Sequence, residues 1–157
     1  MRSFWSFLLL LVLTACAGVT PETLAPPEVR LVDLLPARVG LLEQELEAKL
    51  RIVNPNTVPL EARGIRVTLE TEGSRLGQGV SDRGFTVPAL GETVVAVPLY
   101  VSTADLVERI LGLAAGRGIT YRLTGDILLA RGIAGGTTAL PFESEAALRL
   151  PRLPGTS

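Results

Sequence analysis

Very few side chains in this sequence could do covalent chemistry. Cys16 supplies the only thiol, Lys49 is the only lysine, and histidine does not occur. Without histidine there is no Ser-His-Asp or Cys-His nucleophile, no histidine zinc site and no side chain that titrates near neutral pH by default. Lys49 lies in an alternating run that sets it on a solvent face, which leaves Schiff-base chemistry one poorly sited candidate. Asp33, Asp82, Asp105 and Asp126 fall in no metal-loop or nucleotide motif. No catalytic residue, metal ligand or cofactor is expected, and the chain does not read as an enzyme. What remains is Cys16, whose thiolate is a far better nucleophile than a hydroxyl and so a natural point of modification.

The residues before Cys16 suggest which modification. Arg2 is followed by an apolar run from Phe4 to Leu13, broken only by Ser6. A bilayer-spanning helix needs about 20 apolar residues, whereas a signal-peptide core needs roughly 7–15 after a basic start. Thr14, Ala15, Cys16, Ala17 and Gly18 then offer a slim backbone to a peptidase. The stretch Leu13-Thr14-Ala15-Cys16 resembles the lipobox of bacterial lipoproteins. That resemblance implies a signal peptide over residues 1–15, a diacylglyceryl group on Cys16, and acylation of the amine freed by cleavage. Two or three acyl chains anchor a protein stably where one does so marginally. Ala17 stands where an aspartate would imply inner-membrane retention, so in a source with two membranes the expected location is the outer one, facing the periplasm. The competing reading, an ordinary signal peptide or buried helix with a passive cysteine, gains nothing from a disulfide, since a lone cysteine has no mate.

Without residues 1–15 the chain keeps 142 residues, with 14 basic and 16 acidic side chains. That size suits one domain, and the charge balance argues against a nucleic-acid partner, which calls for a basic excess or stripe. Phe4, Trp5 and Phe7 all lie in the first 15 residues, so the remaining core must be built mainly of Leu, Val, Ile and Ala.

Residues 16–28, with Pro21, Pro26 and Pro27, read as a lipidated cysteine and an extended tether. From Val29 the pattern becomes β over one domain, 29–150, followed by a tail, 151–157. Val29 to Leu34 alternates as a first strand that Pro36 should end. Leu46, Ala48, Leu50 and Ile52 alternate with Glu45, Glu47, Lys49 and Arg51, and Ile65, Val67, Leu69 and Thr71 with Arg66, Thr68 and Glu70, giving two half-buried strands. Further strands are expected at Arg75–Ser81, from Phe85, at Thr93–Val101 with an edge or bulge at Pro98, at Ile119–Leu129, and at Thr137–Leu150 with a break near Pro141. One segment is helical, about 103–114: Ser102-Thr103-Ala104-Asp105 resembles a capping box, and Leu106, Val107, Ile110, Leu111 and Leu113 recur at helical spacing. Its apolar stripe is expected to cover one open end. Together these predict an all-β fold with one short helix, an immunoglobulin-like or fibronectin III-like β-sandwich of about seven strands.

One strand ends in Asn54-Pro55-Asn56, where Pro55 presets a turn, Asn54 can bond back to nearby amides and Asn56 tolerates a left-handed backbone. With Pro59-Leu60, the strand Ile65–Thr71, the glycine-spaced Gly73, Leu76, Gly77 and Gly79, and Val87-Pro88-Ala89, this arrangement resembles the LEA type 2 family, also called the WHy (water stress and hypersensitive response) domain. The likeness runs over residues 28–150 and is most specific in 46–80. It implies a small secreted or lipid-anchored protein, non-enzymatic, that protects membrane or client proteins during desiccation or other stress. Its expected partners are the membrane, through lipid on Cys16, and client proteins or lipids. The alternative is an envelope binding module that takes up lipid or an assembly partner through a sandwich cleft or the 103–114 helix. An apolar cleft lined by Leu106, Ile110 and Leu113 would favour lipid uptake, and a closed core would favour protection by the surface. The oligomeric state is not legible in the sequence.

Overall fold

A computed structural model describes residues 24–114, 119–130 and 136–148. Eight strands and one helix follow in the order β1 (Glu28–Val39), β2 (Glu43–Val53), β3 (Leu60–Thr71), β4 (Ser74–Ser81), β5 (Phe85–Val87), β6 (Glu92–Ser102), α1 (Thr103–Ala114), β7 (Ile119–Ala130) and β8 (Thr137–Leu148). The strands pair antiparallel along the path β1-β2-β6-β4-β3-β7-β8, with β5 joined to β3. The link between β4 and β6 is short, only Gly77 opposite Val101 and Gln78 opposite Tyr100. There the sheet folds over, and β1-β2-β6 faces β4-β3-β7-β8 as a sandwich.

Alternation decides what lies between the layers. Leu46, Ala48, Leu50 and Ile52 of β2, Val97, Leu99 and Val101 of β6, Ile65, Val67 and Leu69 of β3, and Leu123, Ile127 and Leu129 of β7 share one buried cluster. The intervening residues of β2, Glu45, Glu47, Lys49 and Arg51, point out from one layer, and Arg66 and Glu70 of β3 from the other. Phe142 is the large aromatic side chain in this core, which is otherwise aliphatic as the composition requires.

The glycine-spaced segment has a mechanical meaning. Glu72 and Gly73, with φ of 50° and 77°, form the two-residue turn between β3 and β4. A Cβ on Gly79 would sit 2.1 Å from the Pro98 carbonyl oxygen, and one on Gly77 2.9 Å from that of Tyr100. Only a strand without side chains at these two points can lie this close to β6 where the sheet turns over.

Three expectations about proline are corrected. Pro36 does not end β1, which runs on to Val39 with irregularities between Leu31 and Asp33 and between Pro36 and Arg38. Because β1 is an edge strand, the missing N–H can face solvent rather than a ladder partner. Pro98 makes no bulge, since it stays in unbroken register with Glu47, and of the expected edge or bulge only a local edge is present. Its carbonyl abuts Gly79, so its nitrogen lies on the β4 side, where the ladder has stopped. Pro141 sits in register opposite Asp126 on the other edge strand, β8. The eighth strand is the three-residue β5, which pairs with Leu60–Ala62 beyond the stretch of β3 that β4 covers.

The helix appears where expected, but its face does not. Leu106 packs against the core and Arg109 is half-buried, its guanidinium paired with Glu72, while Gly112 is buried. Thr103, Leu106, Arg109 and Gly112, three residues apart, therefore form the inward side. Val107, Ile110 and Leu111 are exposed. The expected cover of an open end reduces to Leu106, because the tie from Arg109 to the β3–β4 turn fixes the helix with most of its apolar stripe outward.

Candidate functional site

The family turn lies at the end of the sandwich where β1 begins and β2 ends, since Glu28 pairs with Val53. Asn54 is 1% exposed, and its side chain uses all its main bonding capacity. Nδ2 donates to the Val58 carbonyl at 2.8 Å and to the Pro88 carbonyl at 3.0 Å, with Val87 O more distant at 3.4 Å. Oδ1 accepts from the Asn56 backbone N–H at 3.0 Å and from Asn56 Nδ2 at 2.9 Å. Backbone bonds complete the clamp: Asn54 N–H donates to Gly91 O and Leu90 N–H to Asn56 O, each at 2.9 Å. A buried amide with no apolar alternative thus joins the β2–β3 and β5–β6 connections, since unpaired polar groups at this depth are costly.

Asn56 has a different task from the one its type suggested. Among the described residues the non-glycine positions with positive φ are Glu72 and Leu90, so Asn56 does not take a left-handed backbone. Its side-chain amide instead reads a passing segment of main chain. Oδ1 accepts from Ala25 N–H at 2.8 Å and Nδ2 donates to Ala25 O at 3.0 Å. The left-handed position belongs to Leu90, third residue of the Pro88–Gly91 turn closed by the Gly91 N–H to Pro88 O bond.

Cys16 and most of the expected tether, 16–28, lie outside the described residues. The last part of that tether is not free of the domain: Leu24 packs on the core, Ala25 is held by Asn56 and Pro27 is buried. Pro26, Pro27 and Glu28 border a shallow depression of about 830 Å³ floored by Thr68, Gly125 and Phe142.

Asp33, Asp82, Asp105 and Asp126 do not converge, and among the described residues no group of three or more acidic or cysteine side chains could hold a metal. No described helix is long and apolar enough to cross a membrane. The charged residues are distributed over the two outer faces as mixed pairs: Lys49 with Asp33 at 3.6 Å, Arg51 with Glu92 at 3.8 Å, Arg66 with Asp126 at 3.5 Å, and Arg122 with Glu143 and Glu145 at 3.5 and 3.4 Å. Such solvated pairs contribute about 0–1 kcal/mol each and serve more as hydrogen-bonding surface than as stabilisers.

Gln44 was missed in the sequence. It is buried, and its Nε2 donates to Gly40 O at 2.6 Å and Thr103 Oγ1 at 2.9 Å, while Thr103 N–H donates to Leu42 O. It ties the β1–β2 hairpin tip to the start of α1. The available signal was its place in the alternation, on the inward side of β2 with Leu46 and Ala48.

The model of the late embryogenesis abundant protein family LEA_2 matches residues 49–146, from the outer face of β2 to the end of β8. The chain belongs to the LEA type 2 family. A Glycine max protein described as the desiccation protectant protein Lea14 homolog is 24% identical over 127 residues, spanning 81% of this chain and 83% of its own length. A solution structure from Arabidopsis thaliana superposes with a TM-score of 0.62 at 20% identity, covering 89% of this chain and 91% of that one. At that identity the likeness speaks for the fold, and the LEA type 2 sandwich is the fold described above. Its Asn-Pro-Asn turn is here a buried clamp with no free polar group aimed outward from Asn54.

Proposed function

We propose that this LEA type 2 chain is a lipid-anchored envelope protein that protects membrane or proteins, without catalysis, when water is lost. Family membership and the desiccation protectant named among its relatives support a stress-related role. The observation that carries the mechanism is the pairing of a closed aliphatic core with two outer faces rich in mixed charge. Glu45, Glu47, Lys49 and Arg51 on one layer and Arg66 and Glu70 on the other offer hydrogen bonds that receding water no longer supplies. The Leu13–Cys16 box supports anchoring through Cys16, with residues 1–15 as signal peptide, and Ala17 supports the outer membrane, facing the periplasm, in a two-membrane cell.

Lipid uptake in a cleft lined by Leu106 and Ile110 loses ground, because Leu106 is packed against the core whereas Ile110 is open to solvent, so the two do not line one cleft. The exposed stripe of α1 keeps the other half of that alternative, an assembly partner.

Confinement should govern potency. With Leu24 and Ala25 docked on the domain, a tether of about eight residues at roughly 3.1 Å each holds the domain within about 25 Å of a bilayer, which raises effective concentration into the millimolar range. Liposomes dried with the lipidated protein should retain dye at far lower dose than with unlipidated Cys16→Ser. Equal potency would remove the anchor from the mechanism, and no retention by either would refute surface protection. Fractionation with radiolabelled fatty acid tests the anchor by itself: an unlabelled wild type ends that part of the reading.

A further inference from the structure

The end of the sandwich opposite the Asn54 clamp carries a surface that protection by charged faces does not use. At the β1–β2 hairpin tip Leu41 is 96% and Leu42 87% exposed, with Val39 beside them. Thr103 N–H donates to Leu42 O, which seats the start of α1 against this tip. The helix then adds Val107, Ile110 and Leu111, turned outward because Leu106 and Arg109 occupy its inward side.

We propose that this surface is the contact between two copies of the chain, related by a two-fold axis that sets the hairpin tip of one against α1 of the other. By their fractional exposures these six side chains, divided between the tip and the helix, leave apolar area on the order of 700 Å² open. The largest patch on a typical monomer is about 300–600 Å², whereas each side of a stable interface buries about 800 Å². Charge complementarity selects the occupant. Among the described residues the hairpin carries Arg38, 3.5 Å from Glu45 yet 82% exposed in its side chain and so open to a second carboxylate, and the helix carries Asp105 and Glu108, both exposed. A two-fold contact brings Arg38 of each copy to the acidic residues on α1 of the other, and such self-complementarity is what an isologous interface requires. A phospholipid surface fits less well, since the exposed carboxylates of Glu43, Asp105 and Glu108 would approach its phosphates. The Ala25–Asn56 bonds hold the described start of the chain at the other end of β1, roughly 36 Å away at about 3.3 Å per residue.

Two differently tagged copies of the full chain, co-expressed, with a benzoylphenylalanine photo-crosslinker at Leu42, test the proposal. The expected product has twice the chain mass, contains both tags, and is linked to residues 107–111 of the other copy. Ile110→Glu with Leu111→Glu should lower its yield at least tenfold. Arg38→Glu or Glu108→Arg alone should lower it several-fold, and the two together should restore it. This rescue keeps the test decisive even if the Ile110 and Leu111 variant folds poorly. Crosslinks to phospholipid, to a different protein, or only within one chain would overturn the proposal, as would failure of the paired reversal to restore the product.

Discussion

Replacing Asn54 by alanine removes two donor bonds, to Val58 O and Pro88 O, and two acceptor bonds from Asn56. Each is worth about 1 kcal/mol net. Water entering the vacated space and the partial freedom regained by Asn56 reduce the total to about 3 kcal/mol. For a domain of this size that corresponds to a fall in Tm of about 10 °C. Asn54→Asp separates geometry from chemistry. A carboxylate has no proton to donate and would face the Val58 and Pro88 carbonyls, whereas a protonated carboxyl can still donate to one of them. The folded state therefore holds the proton more tightly than the unfolded chain, and the pKa of the introduced group rises above its unfolded value of about 3.9. Relative to wild type, the Asp variant should be least impaired below that unfolded value and lose stability as pH rises through the elevated folded pKa. Thermal melts of the three proteins from pH 3.5 to 7.5 give the answer. An alanine variant melting within about 3 °C of wild type, or an Asp-to-wild-type difference flat across this range, would refute the clamp.

Gly79→Ala should cost about 2–3 kcal/mol in urea unfolding, because its Cβ would meet the Pro98 carbonyl, which no rotamer change relieves. Gly73→Ala meets nothing within 4 Å and should cost only the left-handed backbone, about 1 kcal/mol, so equal effects at the two sites would contradict the close approach of β4 to β6. Leu90→Gly should stabilise the fold by about 0.5 kcal/mol and so raise Tm slightly, because relief of about 1–2 kcal/mol of backbone strain exceeds the extra entropy glycine loses; a lower Tm would mean that the exposed leucine makes a contact of its own. Asn56→Ala should speed amide exchange at Ala25 at least tenfold by NMR while costing about 1–2 kcal/mol, since the two bonds to Ala25 are exposed and only the one to Asn54 Oδ1 is partly buried. Unchanged exchange would show that residues before β1 are held by Leu24 and Pro27 rather than by the amide.

Strand identity was legible because alternation is local. Leu46 to Ile52 and Ile65 to Thr71 face inward as their spacing requires, and the helix begins at Thr103 where the pattern changes from two to about 3.6. The family turn was legible too, because Asn-Pro-Asn at a strand end has few other uses. Prolines misled the boundaries: whether Pro36 or Pro98 breaks a strand depends on which side its missing N–H faces, and that is set by a neighbour distant in sequence.

The sequence by itself therefore determined the elements, the aliphatic core and the family, all of which follow from side-chain periodicity and short-range turn chemistry. Tertiary structure decided the role of each special residue. Asn54 became a clamp because Val58 and Pro88 carbonyls converge on it, and Asn56 a latch because Ala25 passes within hydrogen-bonding reach. The orientation of α1 is the sharpest case. Its apolar stripe predicts burial, but the tie from Arg109 to Glu72 and the bond from Gln44 to Thr103, residues far apart in sequence, turn that stripe to solvent. A helical pattern specifies that one face differs from the other, and only contacts with the rest of the chain specify which face looks in.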